Sequence, residues 1–184
     1  GYVRSGGERF HNGLDLFAEE GTPVYAMIDG EIASDVYIIG QPNRVDDEYP
    51  VGYKGNTSDA GNRVYVKGQY NGYDVKVGYC HLRSGTPVAI NPRTGEVFKP
   101  GDTIYRGELL GYTGRTGNAY NVTNKHLHLV YKVKNSNGVY VFSNPEEIIN
   151  GSVNWKDGDP STKRIIGGKI IGVECDTEDK VNIL

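Results

Sequence analysis

The sequence lacks several features that would indicate a function on their own. Its 184 residues include two cysteines, Cys80 and Cys175, too few for a disulfide framework or a CxxC zinc ribbon. One disulfide and two separate buried thiols both remain open. The net charge is −3 without a run of lysine or arginine, which argues against nucleic-acid binding. No apolar stretch is long enough to span a membrane.

The length fits one domain with a substantial core. Residues 1–150 are predicted to form this domain. After Asn150 the composition becomes more polar, with short strand-like runs near the end. Residues 151–184 are therefore expected either to complete the domain or to begin another one.

Short strand-like runs separated by Gly, Asn and Pro dominate the predicted secondary structure. Because no long amphipathic helix is available for βαβ crossovers, we predict an all-β fold with a mainly antiparallel sheet, long loops and at most short helices. One helical turn is predicted at 145–150, capped by Asn144. Long loops are predicted at 40–62 and 83–106, the second with a hairpin near 93–95. The predicted strands are 23–27, 31–39, 63–67, 74–80, 108–112, 126–133 and 139–142.

The first histidine lies in the segment His11-Asn12-Gly13-Leu14-Asp15. Imidazole and carboxylate both suit zinc. In a straight strand the two residues would stand about 13 Å apart, so Gly13 would have to supply a bulge or turn. By itself the spacing also fits a surface histidine and aspartate that never meet.

Two further histidines, His126 and His128, alternate with Leu127 and Leu129. In a strand the histidines would share one face, about 6.6 Å apart, and the leucines would face the core. The histidines could share a metal, or one could bind it while the other exchanges protons. The pattern alone also fits two solvent-facing positions on an amphipathic strand.

His81 ends a strand-like run and directly follows Cys80. A Cys–His nucleophile is one interpretation of this pair. Strand alternation argues against it, since adjacent side chains point to opposite faces. An ordinary histidine at a strand end is the other interpretation.

Two histidines and one aspartate would give zinc three protein ligands, and an open fourth position is the catalytic arrangement. Two histidines would remain to manage protons. Composition alone does not assign the roles.

Taken together and in order, these motifs resemble the lysostaphin-type zinc metallopeptidases. The resemblance covers about residues 1–150, and the ordered combination is far more specific than any single motif. The matching segments are His11-Asn12-Gly13-Leu14-Asp15, Gly21-Thr22-Pro23-Val24-Tyr25-Ala26, Asp29-Gly30, Val77-Gly78-Tyr79-Cys80-His81-Leu82, Lys99-Pro100-Gly101-Asp102, Leu110-Gly111, Thr113-Gly114, His126-Leu127-His128 and Ser143-Asn144-Pro145.

The resemblance implies one zinc ion per chain bound by His11, Asp15 and His128, with His81 and His126 as catalytic histidines. It also implies a β-sheet groove with the metal on its floor. The expected activity is hydrolysis of peptide cross-links or stem peptides of bacterial peptidoglycan. The expected protein is an extracytoplasmic monomer (periplasmic, cell-envelope or secreted), without nucleic-acid partner or membrane span, and a piece of a longer precursor.

Two other functions stay open at this point. One is a catalytically inactive relative that acts as a cell-wall binding or regulatory module, although such relatives typically lose residues that are present here. The other is a β-rich adhesion or carbohydrate-binding module, supported only by the 14 tyrosines. Asn124-Lys125 before the last motif and the long loops depart from the family pattern, which leaves the substrate preference open.

Overall fold

A computed structural model describes residues 2–3, 10–11, 13–33, 61–83, 89–119, 125–149, 154–156 and 162–166. Strands dominate these residues, with one helix, α1 (Glu146–Ile149), and a short 3-10 turn at Gly117–Ala119. No helix in the described ranges is long and apolar enough to cross a membrane. The strands are β1 (Tyr2–Val3), β2 (Phe10–His11), β3 (Leu14–Phe17), β4 (Pro23–Tyr25), β5 (Gly30–Ile32), β6 (Asn62–Tyr70), β7 (Tyr73–Leu82), β8 (Thr103–Ile104), β9 (Leu109–Tyr112), β10 (His126–Lys134), β11 (Tyr140–Phe142), β12 (Asn154–Lys156) and β13 (Thr162–Ile166).

Within the described ranges, nine strands form one large sheet. Its order is β12-β13-β3-β10-β7-β6-β5-β8, and β11 pairs with the end of β10. Every pairing in the sheet is antiparallel except that of β13 with β3. Two-stranded sheets join β1 to β2 and β4 to β9. The all-β, mainly antiparallel fold predicted from the sequence is confirmed.

Six of the predicted strands correspond to β4, β6, β7, β9, β10 and β11; β6 and β7 are longer than expected, and β4 is shorter. Of the predicted strand at 31–39, residues 31–32 lie in β5 and residues 34–39 lie outside the described residues. β6 and β7 form a hairpin that turns at 71–72, with Asn71 in the left-handed conformation at φ 52°. The predicted helical turn is present, and Asn144 caps it by accepting a hydrogen bond from the Glu146 amide. The hairpin near 93–95 is closed by a bridge between Ile90 and Val97. The predicted loop at 40–62 lies largely outside the described residues.

One face of the large sheet carries the main hydrophobic core. Alternate residues of β3, β6, β7 and β10 point into it because side chains alternate along a strand. Burial of a leucine or valine side chain stabilises a fold by about 1.5–3 kcal/mol. In addition, the buried Tyr79 hydroxyl accepts a hydrogen bond from the Met27 amide. The buried core residues of these four strands are Leu14, Leu16, Val64, Val66, Val75, Val77, Tyr79, Leu82, Leu127, Leu129 and Tyr131.

The opposite face of the same strands carries the polar residues discussed below. A smaller apolar cluster of Ala33, Tyr65, Cys80 and Val130 lies on this side. We call this side of the sheet the histidine face, because His126 and His128 point to it and alternate with the core leucines of β10. The predicted division of the HxH segment between two faces is therefore confirmed.

Candidate active site

Asp15 and His128 form the centre of the site. They stand directly opposite each other in the register of β3 with β10, so their side chains share a face. Nδ1 of His128 lies 2.8 Å from Oδ1 of Asp15. Gly13 makes this approach possible, since a Cβ there would lie 2.7 Å from the His128 ring. The structure thus brings together two of the three predicted metal ligands.

His126 lies two residues before His128 on the same face, and its side chain is 6% exposed. Its Nε2 atom lies 3.7 Å from Oδ1 of Asp15. The same carboxylate oxygen therefore faces both histidines of β10.

His81 reaches the site from the neighbouring strand β7. Its ring centroid lies 5.3 Å from that of His126 and 5.8 Å from that of His128. The backbone of His81 is left-handed, with φ of 60°, which is uncommon outside glycine and costs on the order of 1 kcal/mol. The segment after β9 holds this conformation, because the Gly114 amide donates a hydrogen bond to the His81 carbonyl over 2.9 Å.

An irregularity between β6 and β7 explains how His81 points toward the other histidines. Asn62 pairs with Leu82 and Val64 pairs with Tyr79, so two residues of β7 oppose one residue of β6. Such a β-bulge interrupts the alternation of side chains along a strand. With regular alternation His81 would share the core face with Tyr79.

The same bulge corrects the sequence argument about Cys80. Alternation predicted that Cys80 faces away from a site that His81 faces. Instead, Cys80 pairs directly with His128 and packs with Val130 on the histidine face. The side chain is a free thiol, 1% exposed, and burial raises its pKa to about 12. Cys80 is therefore a poor nucleophile because it is buried and protonated, and the geometric reason was wrong.

Thr116 is a residue of the site that the sequence argument missed. Its carbonyl accepts a hydrogen bond from Nδ1 of His81 over 2.8 Å. Its hydroxyl donates to the Leu82 carbonyl over 2.8 Å and accepts from the Asn62 amide over 3.0 Å. Thr116 therefore joins the end of β7, the start of β6 and the His81 ring. A side-chain pattern could not reveal this role, because the contact to His81 comes from the main chain.

The Thr116 carbonyl also determines where the His81 ring carries its proton. A carbonyl oxygen can only accept, so Nδ1 carries the hydrogen and Nε2 keeps its lone pair. Burial, followed by the neighbouring His126 and His128, lowers the pKa of His81 to about 3. His81 is consequently neutral near pH 7, with Nε2 as a hydrogen-bond acceptor.

The described residues supply part of a zinc site. Two ligands of a tetrahedral zinc at about 2.0–2.1 Å stand roughly 3.3 Å apart, close to the 2.8 Å between Asp15 and His128. The imidazole and carboxylate donors also suit that ion. Among the described side chains, no three His, Cys, Asp or Glu residues converge on one ion position. The backbone of His11 ends β2, and its side chain lies outside the described residues. The donors present fit two of the three ligand positions.

Comparison with known proteins identifies the family of this chain. The model of peptidase family M23 matches residues 9–141. No curated protein matches the sequence. The fold is similar to the solution structure of lysostaphin, at 22% identity and a TM-score of 0.47, and the match covers 83% of this chain. It covers 54% of the lysostaphin chain, so this chain spans about half of that protein. Because the family model matches more than half of the sequence and includes every predicted site residue, this chain belongs to peptidase family M23.

Proposed function

We propose that this chain is a zinc-dependent endopeptidase that hydrolyses peptide cross-links or stem peptides of bacterial peptidoglycan. The observation that carries the proposal is the convergence of Asp15, His128, His126 and His81 on one face of the sheet. Membership in a peptidase family supports hydrolysis of a peptide bond. The resemblance of the ordered motifs to the lysostaphin type favours peptidoglycan peptides as substrate.

In this proposal His11, Asp15 and His128 hold one zinc ion. When bound, zinc supplies Lewis-acid chemistry, which polarises a carbonyl and makes a water molecule more acidic. Nδ1 of His128 lies 2.8 Å from Oδ1 of Asp15, so two of the three proposed ligands already lie side by side. A site organised in advance loses less entropy on binding.

The remaining chemistry is assigned to His81 and His126, which move protons during amide hydrolysis. His81 presents Nε2 to the site because Thr116 occupies Nδ1. His126 presents Nε2 toward Asp15. A ring that has taken a proton from the attacking water would stabilise the oxyanion of the tetrahedral intermediate and pass that proton to the leaving amine.

The proposed substrate lies outside the cytoplasm, so the chain is proposed to act in the periplasm, in the cell envelope or after secretion. We also propose that it acts as a monomer, because all four converging residues belong to one chain. The alternative, an inactive binding or regulatory relative, would retain affinity for peptidoglycan without turnover.

The test combines zinc content with release of soluble peptides from purified peptidoglycan. Wild type is expected to hold about one zinc per chain and to release peptides, whereas His128→Ala loses both. Lys99→Gln is the matched control, since Lys99 is 65% exposed and outside the site. Mass spectrometry of the released peptides would identify the cleaved bond. Zinc binding without peptide release would favour the inactive relative, and a wild type that binds no zinc would overturn the metal assignment.

A further inference from the structure

The histidine face continues beyond the histidines as rows of directly paired residues. The row next to His128 consists of Tyr65, Gly78 and Val130, which pair across β6, β7 and β10. A Cβ at Gly78 would lie 2.6 Å from the Tyr65 ring. Glycine therefore lets this ring lie flat on the sheet, and the row forms a low apolar floor.

The following row is cationic. Lys67 pairs with Lys76, and Lys76 pairs with Lys132, so three lysines stand directly opposite one another on β6, β7 and β10. Like charges at directly opposed positions of an antiparallel sheet are destabilising. This lysine row occurs in a chain of net charge −3, so the overall composition does not account for it.

Two carboxylates contact lysines in or beside this row. Glu31 contacts Lys67 over 2.9 Å, and Asp74 contacts Lys134 over 3.9 Å. Lys132 instead lies between two rings, at 5.3 Å from the centroid of Tyr65 and 4.8 Å from that of Phe142. No carboxylate in the described part of the chain forms an ion pair with it. The rings hold a half-buried ammonium group in place.

Such a group is suited to bind an anion. Its position is fixed by the rings, so little side-chain entropy is lost on binding. Partial burial also strengthens its attraction for an opposite charge. Beside the row, a surface cavity of about 430 Å³ is lined by Lys67, Lys134 and Tyr140 together with the carboxylates Glu31 and Asp74. The surface next to the lysines is therefore concave, and Lys132 lies outside the part that the carboxylates line.

The register also gives a distance. The lysine row lies two rows from His128, and Lys132 is four positions after His128 on β10. At about 3.3 Å per residue this corresponds to roughly 13 Å. An extended peptide covers the same distance in about four residues. If such a peptide runs along β10 with its reacting bond at the histidines, a group four residues from that bond lies above the lysine row.

We propose that the lysine row is a subsite for a carboxylate of the peptide substrate, about four residues from the cleaved bond. The proposal rests on the proposed function and deepens it by adding a charge requirement to the substrate. The apolar floor between the two rows favours an extended peptide over a separate small anion, because the floor offers contact to the chain that joins the two groups.

The test measures binding without cleavage. Metal-depleted protein is co-sedimented with purified peptidoglycan that has been stripped of phosphate polymers, before and after its carboxyl groups are amidated with carbodiimide and ammonia. The proteins are wild type, Lys132→Gln, Lys132→Arg and the distant control Lys99→Gln. Peptide release by the zinc-loaded proteins is measured separately, so failure of the hydrolase proposal and failure of the subsite are distinguishable.

Amidation is expected to weaken binding of wild type and Lys99→Gln about tenfold. Lys132→Gln should bind untreated peptidoglycan about tenfold more weakly than wild type and respond little to amidation. Lys132→Arg should recover most of the affinity, since arginine keeps the charge and stacks on the same rings. Equal sensitivity of wild type and Lys132→Gln to amidation would overturn the proposal. So would wild-type binding that is lost once phosphate polymers are removed.

Discussion

The two faces of the large sheet are made from alternate residues of the same strands, yet one face is apolar and packs the core while the other carries histidines and an aspartate. On β10, Leu127 and Leu129 are fully buried in the core, whereas His126 and His128 face the site. A shift of one residue in register would exchange the two sets. The core contacts that stabilise the fold therefore also fix which residues lie on the histidine face.

His126 and Leu127 are neighbours on β10 that face opposite sides of the sheet, so variants at the two positions test whether activity and stability are separable. The largest expected effect is the loss of activity at His126. We expect His126→Ala to reduce peptide release about 10²–10⁴-fold, the usual contribution of general acid–base catalysis. Its free energy of unfolding should fall by less than about 2 kcal/mol. Initial rates on peptidoglycan and urea unfolding measure the two quantities. A variant that cleaves normally would remove His126 from the mechanism.

Leu127→Ala should show the reverse pattern. Its side chain is fully buried in the main core, and a leucine-to-alanine change there costs about 2–5 kcal/mol. We expect a lower midpoint in urea, while peptide release per folded molecule stays closer to wild type than in His126→Ala. If both variants lose activity to the same extent without loss of stability in Leu127→Ala, the two faces are not separable.

Thr116 tests how far the histidine face depends on contacts from beyond the sheet. Thr116→Val keeps the shape but removes a buried hydroxyl that joins Leu82 to Asn62, which should cost about 1–3 kcal/mol. The Thr116 carbonyl that holds the His81 ring would remain, but the segment that carries it would lose two anchors, so the ring is held less firmly and peptide release should fall about tenfold. Thr116→Ser keeps the hydroxyl and should remain near wild type.

A measurement on metal-free protein distinguishes a change in how the His81 ring is held from a general loss of stability. Nitrogen chemical shifts of labelled histidine report which ring nitrogen carries the proton. For wild type and Thr116→Ser we expect the Nδ1–H tautomer of His81, as the contact to the Thr116 carbonyl requires. In Thr116→Val a mixture is expected. Identical spectra and rates for the Val and Ser variants would contradict a positioning role.

Much of the fold and part of the site could be predicted from the sequence. Periodicity located β10 and assigned His126 and His128 to one face, because alternation is a local property. The short strand β3 was not predicted, since Leu14–Phe17 has only four residues and depends on its pairing with β10. The ligand roles of His11, Asp15 and His128 and the catalytic roles of His81 and His126 stay predictions.

The missed features depend on pairing between distant segments. The bulge that turns His81 toward the site follows from counting residues of β7 against β6, which requires both strands. The lysine row likewise requires the register of three strands, and the Thr116 contact requires a turn 35 residues away from His81. Local pattern therefore identified the histidines and the aspartate that come together, and the long-range register determined how they meet.

Cys80 gives the smallest expected effect, although it lies directly opposite His128. Its pKa, raised by burial to about 12, should make the folded protein resist iodoacetamide at pH 8.5, since only the thiolate reacts. The measurement uses a Cys175→Ser background, so that one thiol is counted, and compares native with urea-unfolded protein. Only the unfolded sample should be labelled. Cys80→Ala should release peptides within about twofold of wild type, because the thiol fills space without touching substrate. Rapid labelling of the native protein, or a large loss of rate in Cys80→Ala with unchanged stability, would make the thiol part of the chemistry of the histidine face.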